Sequence, residues 1–280
     1  MKKHLLLFIM ALFAVGFAQS QTQAQTHNYF YTRLGVGASL GISYNLDLLY
    51  TYTSTGTDRK VTIDPLALGN GVNGIAAFGF SPSKYFSFEI GISQFFGFPK
   101  IGDSVMKIPG GSSVEVNVKG NMLSILPAVI LSPGFKTIDP YARFGFLLGI
   151  RPTINVAAKA NNNTVNPPVA YEAVRHYYGG IAAGIHAALG VTWHIDSWIS
   201  MYAELAFQSV NYSPKHSEVV LYEKDGIDQL PTLSVKQTKT DYYTSLNPDE
   251  DIPETSPDKE LRKSLPFSNT GFNFGVIFHF

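Results

Sequence analysis

Along much of this chain apolar residues recur at every second position, the spacing of β-strands whose two faces meet different surroundings. From Tyr141, the residues Ala142, Phe144, Phe146, Leu148 and Ile150 fall on one face, and Arg143, Gly145, Leu147, Gly149 and Arg151 on the other. From Phe86, the residues Phe86, Phe88, Ile90 and Ile92 oppose Ser87, Glu89, Gly91 and Ser93. Met201, Ala203, Leu205 and Phe207 oppose Tyr202, Glu204, Ala206 and Gln208. Leu34, Val36, Ala38, Leu40 and Ile42 oppose Arg33, Gly35, Gly37, Ser39 and Gly41. The chain ends on Phe272, Phe274, Val276, Phe278 and Phe280 against Asn273, Gly275, Ile277 and His279. In the Tyr141 segment one face is greasy and the other small or charged.

Weaker alternation over residues 71–80, 114–131 (with a register break near Gly120) and 175–194 brings the expected count to about eight strands. Links after the second, fourth and sixth are brief, at 81–84, 132–140 and 195–197, and rich in Pro, Gly, Ser and Asp as turns require. Links after the first, third, fifth and seventh are long, at about 53–70, 97–113, 157–174 and 211–266. This sorting puts every long loop at one end. The expected fold is therefore all-β: an eight-stranded antiparallel up-and-down transmembrane β-barrel with short periplasmic turns and long extracellular loops. A water-soluble β-sandwich has no reason to sort its loops this way.

The start of the chain agrees with export. Lys2 and Lys3 precede an apolar run from Leu5 to Phe17, with small residues at Gly16 and Ala18 and then a Gln/Thr-rich stretch, the order of a secretory signal peptide. The expected organisation is a signal peptide over 1–18 (Ala24 is a second candidate cleavage site), a short periplasmic segment over 19–28 and the barrel over 29–280. No later run approaches the roughly 20 apolar residues of a helical span. The whole chain carries 21 basic and 21 acidic residues, a balance that argues against a nucleic-acid partner, whose binders carry a basic excess. It has no cysteine, which excludes thiol catalysis, thiolate metal sites and disulfides.

Aromatic residues placed near strand ends suit the interfacial girdle of a barrel: Tyr29, Phe30, Tyr31, Tyr85, Phe86, Tyr141, Tyr177, Tyr178, Trp193 and Trp198. Several segments resemble the PorT-like outer-membrane β-barrel family. They are Lys84-Tyr-Phe-Ser-Phe-Glu-Ile-Gly-Ile, Pro140-Tyr-Ala-Arg-Phe-Gly, the Gly-rich run 179–190 leading into Trp193-His-Ile-Asp-Ser-Trp, and the closing Gly271-Phe-Asn-Phe-Gly-Val-Ile-Phe-His-Phe. The resemblance implies a small outer-membrane barrel, with outer-membrane lipid as its surroundings. The family's namesake implies a part in export, for which no residue here is a carrier.

The inward set contains Arg33, Glu89, Arg143 and Glu204, each near the short-turn start of an odd-numbered strand. Eight strands leave an interior just wide enough for side chains, and an unpaired buried charge costs several kcal/mol. These four are therefore expected to neutralise one another as a lumen plug, with Tyr202, Gln208 and His186 as further hydrogen-bonding members. The expected function is a non-enzymatic structural or interaction protein of the cell outer membrane, presenting its loops to a protein or surface ligand. A small pore or uptake component is the first alternative. A lipid-modifying barrel enzyme is the second, with His176, His186, His194 and His279 near Ser or Asp as candidates, none at a diagnostic spacing.

No cofactor is implied, and His194 with His279 offers no third metal ligand. The last loop carries Asp249, Glu250, Asp251, Glu254, Asp258 and Glu260 among Pro248, Pro253 and Pro257, the composition of a solvated, mobile segment without calcium-loop spacing. Alternation at Asn45, Asp47 and Tyr50, and at Val114, Val116 and Val118, suggests that some strands continue beyond the lipid as a rim.

Overall fold

The computed structural model describes residues 29–42, 50–55, 58–63, 67–102, 113–163, 165–247 and 251–280. The signal peptide, the 19–28 segment, Asn45, Asp47, Pro248, Asp249 and Glu250 lie outside the described residues. In chain order the strands are β1 (Phe30–Gly41), β2 (Tyr50–Thr55), β3 (Asp58–Ile63), β4 (Gly71–Ser83), β5 (Phe86–Gly97), β6 (Lys100–Gly102), β7 (Ser113–Leu131), β8 (Ile138–Asn162) and β9 (Val169–Tyr178). They continue with β10 (Ala182–His194), β11 (Ile199–Tyr212), β12 (His216–Lys224), β13 (Ile227–Asp228), β14 (Lys239–Tyr243), β15 (Asp258–Leu261), β16 (Leu265–Pro266) and β17 (Asn269–His279). Among the described residues the one α-helix, α1 (Val235–Thr238), follows a 3-10 turn at Leu230–Thr232 and starts at Ser234, whose side chain accepts from the Gln237 N–H.

The fold is all-β, with fifteen of the described strands in one large, mainly antiparallel sheet and β2–β3 as a separate hairpin. Eight long strands form its trunk. β1 pairs with β17 and β4, β4 with β5, β5 with β7, β7 with β8, β8 with β10, β10 with β11, and β11 with β17. This ring of pairings is uneven, because β17 has 11 residues and β8 has 25.

Burial alternates along the trunk strands as their sequences predict. On β11, Ser200, Tyr202, Glu204, Ala206 and Val210 are buried, while Met201, Leu205 and Phe207 are exposed. On β5, Glu89 and Ser93 are buried between exposed Phe88, Ile90 and Ile92. The greasy face is thus the exposed one, and the buried face carries the charges.

Two backbone irregularities bear on the sequence reading: the register break expected near Gly120 is present in the β7–β8 pairing, but the sequence pattern predicts neither its effect on β8 nor a second break further on. Arg151 adopts φ 52°, and the β7–β8 register shifts between Asn121 and Leu123. This bulge changes the buried parity of β8 from Leu147 and Gly149 to Pro152 and Ile154, because an extra residue on one strand turns every later side chain over. Arg151 is consequently exposed and does not join Arg143 on the inward face. The expected strand over 175–194 is two strands, broken at Gly179 and Gly180, both at φ 79°, a backbone region that favours glycine. β10 begins beyond this break and pairs with the lower half of β8, whereas β9 pairs with its upper half.

The upper part is built rather than floppy. β7 and β8 stay paired out to Ser113 and Asn161, and β9, β12, β14 and β15 extend the sheet from β8. The last long link, expected to be a mobile acidic loop, instead holds β12 to β16 and α1. Glu254 accepts from the Ser234 hydroxyl, and Glu260 lies on β15 beside β14. Strand pairing supplies the order that its composition conceals.

Candidate functional site

Arg33, Glu89, Arg143 and Glu204 lie on β1, β5, β8 and β11, which are alternate strands of the trunk. The intervening strands oppose them mostly with small residues, since Ala77 faces Arg33, Gly79 and Ala128 face Glu89, and Ala188 faces Arg143. Long side chains from alternate strands therefore meet in one layer. Each of the four is at most 4% exposed.

The four form a cycle of alternating charge. Arg33 Nε lies 3.1 Å from Glu89 Oε2, and Arg33 Nη1 lies 3.2 Å from Glu204 Oε2. Arg143 donates from Nη1 to Glu89 Oε1 at 2.9 Å and from Nη2 to Glu204 Oε1. Three further side chains complete the carboxylates. Tyr31 donates to Glu89 Oε2 at 3.1 Å, Tyr141 to Glu204 Oε2 at 2.7 Å, and Asn273 Nδ2 to Glu204 Oε1 at 2.9 Å. Desolvating an ion is expensive, and mutual pairing with added hydrogen bonds is what offsets that cost.

Tyr31 and Tyr141 are expected from sequence in the interfacial girdle, but both are 5% exposed and belong to this layer. Their position near strand ends is right and their face is wrong, because each has the parity of the charges. Tyr29, Phe30, Tyr85, Trp193 and Trp198 do point outward. Tyr177 and Tyr178 lie half-buried at the end of β9, where Tyr177 packs against buried apolar side chains and the Tyr178 carbonyl accepts from the Lys215 N–H just past β11. Asn273 shares the buried face of the terminal strand, and its parity was the available signal for its part in the network.

Room for the rings comes from glycines placed directly across. Tyr31 pairs with Gly79, Tyr141 with Gly190 and Tyr202 with Gly275. A Cβ added at Gly79 would come within 1.9 Å of the Tyr31 ring, and one at Gly35 within 2.0 Å of the Tyr202 hydroxyl.

The three expected auxiliary members behave differently from the prediction. Tyr202 stacks under the Arg33 guanidinium, 4.6 Å from ring centroid to Cζ, but its hydroxyl has no hydrogen-bond partner. His186 is buried beside Gly145, and its Nε2 also lacks a partner. Gln208 sits two inward positions beyond Glu204 and accepts from Asn269 Nδ2 at 3.2 Å. Sequence parity gave all three the correct face, but hydrogen-bond reach is set by depth and rotamer.

Beyond the charges, toward the long-loop end, Ser39, Asn73, Ser93, Ser124, Gln208 and Asn269 help to line a cavity of about 10 Å³, about the size of one water. An apolar cluster follows, including Phe95, Met122, Leu147, Ile154, Tyr212 and Phe267. Phe267 is fully buried against Tyr212 and Phe95, with ring centroids 6.0 and 6.5 Å away. Ionic, polar and apolar layers thus succeed one another along the buried face.

At the short-turn end the Ser200 hydroxyl lies 2.9 Å from His194 Nδ1 and 2.9 Å from His279 Nε2. One imidazole accepts the hydroxyl proton and the other donates to the oxygen. Such a pair can polarise a hydroxyl, but Ser200 is 0% exposed and offers no path to an acyl group. His176 lies tilted beside Tyr178 on β9, ring centroids 5.6 Å apart, and His216 pairs with Asp241 at 2.7 Å. No cluster of three His, Cys, Asp or Glu suited to a metal occurs among the described residues. In the upper sheet Tyr242 donates to or accepts from Ser217 at 3.1 Å, and burial pushes its phenol up to about 12.

No known protein-family model matches this chain, and no curated protein matches it significantly.

Proposed function

We propose that this chain is an integral outer-membrane protein: an eight-stranded antiparallel β-barrel with a plugged lumen. It acts without catalysis, as a structural or interaction module. The reading is carried by one inversion. The exposed trunk face holds Phe88, Ile90, Phe144, Phe146, Leu189, Leu205, Phe207 and Phe274, each at least 44% exposed, while the buried face holds two Arg–Glu pairs. Water-soluble monomers rarely expose a contiguous apolar area of this kind, and lipid makes it favourable. In lipid the strand pairings would leave no backbone edge along the trunk.

In this reading the short turns are periplasmic and the β8–β9–β12–β14–β15 sheet is an extracellular rim on a rigid base. Loops on such scaffolds carry recognition, so the rim is where a protein or surface ligand would bind. A PorT-like affiliation fits the same strands and remains part of the proposal. The neutral four-charge cycle and the apolar cluster above it act as two seals in series, which disfavours the pore alternative.

Two measurements test this. The mature protein extracted from outer membranes should migrate differently unboiled and boiled; a soluble periplasmic protein without a shift sinks the barrel. Planar bilayers should record no steady conductance from the wild type. A steady conductance that grows in R143A sinks the plug.

A further inference from the structure

The outer surface of the trunk is not uniform around β7. The outward residues Pro127 and Val129 are short and half-buried, whereas Phe88 and Ile90 on β5 and Phe144 and Phe146 on β8 stand 49–66% exposed on either side. Register places Phe88 and Phe144 directly across from Val129. The result is an apolar furrow over β7, part of a hollow of about 450 Å³ that also reaches Phe78 and Phe80 on β4. It covers the part of β7 nearest the short-turn end.

The foot of the furrow is cationic. Two turns flank it, one before β5 with Lys84 and one after β7 with Lys136, and both lysines are exposed. The turns are tied together: Ser132 N–H donates to the Tyr85 carbonyl at 3.0 Å, and the Ser132 hydroxyl donates to the Lys84 carbonyl at 3.0 Å. The Lys84 stem lies against Gly134, and its ammonium sits 4.8 Å from the Tyr85 ring centroid. Asp139, the nearby carboxylate, is buried and occupied by the Gly134 and Phe135 N–H groups at 3.0 Å each. The remaining short turn, between β10 and β11, carries Asp196 and no lysine or arginine. Positive charge at this end is therefore gathered beside the furrow.

We infer that β7 and its two flanking turns form a binding site for one anionic phospholipid of the periplasmic leaflet. An acyl chain lies over Pro127 and Val129, and the phosphate is held by Lys84 and Lys136. This inference rests on the membrane reading above. Acyl burial against the furrow supplies the hydrophobic part of the affinity, and lysines at the interface attract anionic headgroups.

The test uses the mature protein in nanodiscs of mixed phosphatidylglycerol and phosphatidylcholine, released for native mass spectrometry. Wild type is expected to retain one phosphatidylglycerol. K84Q/K136Q should lower its preference for phosphatidylglycerol over phosphatidylcholine by about thirtyfold, while V129W, which fills the furrow, should lose both lipids. Equal retention of the two lipids by wild type, retention unchanged in both variants, or a dimer that covers the furrow with a second copy overturns the site. Heat-modifiability is read on the same samples. A wild type without the gel shift overturns the barrel and this site with it; a shift without lipid preference overturns the lipid site alone.

Discussion

Tyr141 and Glu204, 63 residues apart in sequence, meet at 2.7 Å through the phenol hydroxyl and Oε2. The contact crosses β10, which pairs with both of their strands and presents Gly190 between them. Glu204 thereby receives a phenol, an amide and two guanidiniums, so the four-charge cycle is a packed layer rather than a set of separate pairs.

Removing one charge should cost more than removing one phenol hydroxyl. E204Q leaves two buried guanidiniums facing one carboxylate and is expected to destabilise by about 3–5 kcal/mol. Y141F removes a hydroxyl that donates to the carboxylate and accepts from Arg33 Nη1 at 3.2 Å, but it leaves the charges balanced and should cost about 1.5–3 kcal/mol. Urea unfolding in lipid vesicles ranks the two, and equal costs would show that charge balance is not what holds the layer.

Two glycines on β4 should respond unequally to one added methyl. G79A places a Cβ 1.9 Å from the Tyr31 ring, an overpacking expected to cost about 1–3 kcal/mol. At Gly74 an added Cβ meets nothing within 4 Å, so G74A should change stability by less than about 0.5 kcal/mol. The ratio of folded to unfolded bands on an unheated gel reports both.

Ser200 is expected to be a structural bridge. S200A removes the shared partner of His194 and His279 and should destabilise by about 1–3 kcal/mol. A fluorophosphonate probe should leave the folded wild type unlabelled, because the hydroxyl is sealed. Labelling that disappears in S200A would turn the bridge into a nucleophile and revive the enzyme alternative.

The upper sheet should loosen in alkali before the trunk. Burial raises the Tyr242 phenol from 10.0 to about 12, so the unfolded segment loses its proton first as pH rises. The contribution of this group is complete below pH 10, falls between pH 10 and about 12, and is lost above. Limited proteolysis of the β12–β14 region should accelerate over that window and do so less in Y242F. An unchanged profile in Y242F would assign the loosening to another group.

Much of the charge layer was legible in the sequence. Arg33, Glu89, Arg143 and Glu204 share the parity of small residues on amphipathic strands, and parity decides which face a side chain takes. The alternation at Val114, Val116 and Val118 likewise foretold that β7 extends beyond its turn-side half. Tyr31 and Tyr141 were misplaced because an aromatic residue near a strand end fits a girdle as well as a buried layer. Only its parity separates the two. The bulge at Arg151 and the break at Gly179–Gly180 leave hydrophobicity almost unchanged while redirecting everything that follows.

By itself the sequence determined the strand-rich fold, the inversion of apolar and charged faces and the identity of the four compensating charges, since each depends on the local period of two. Tertiary structure alone decided which atoms meet. Register puts Gly79 opposite Tyr31 and Gly190 opposite Tyr141, brings His279 to Ser200 across 79 residues, and sets Asp258 and Glu260 of the last long link in a strand beside β14. Those outcomes depend on hydrogen-bond pairing between segments distant in the chain, and no local pattern of residues encodes it.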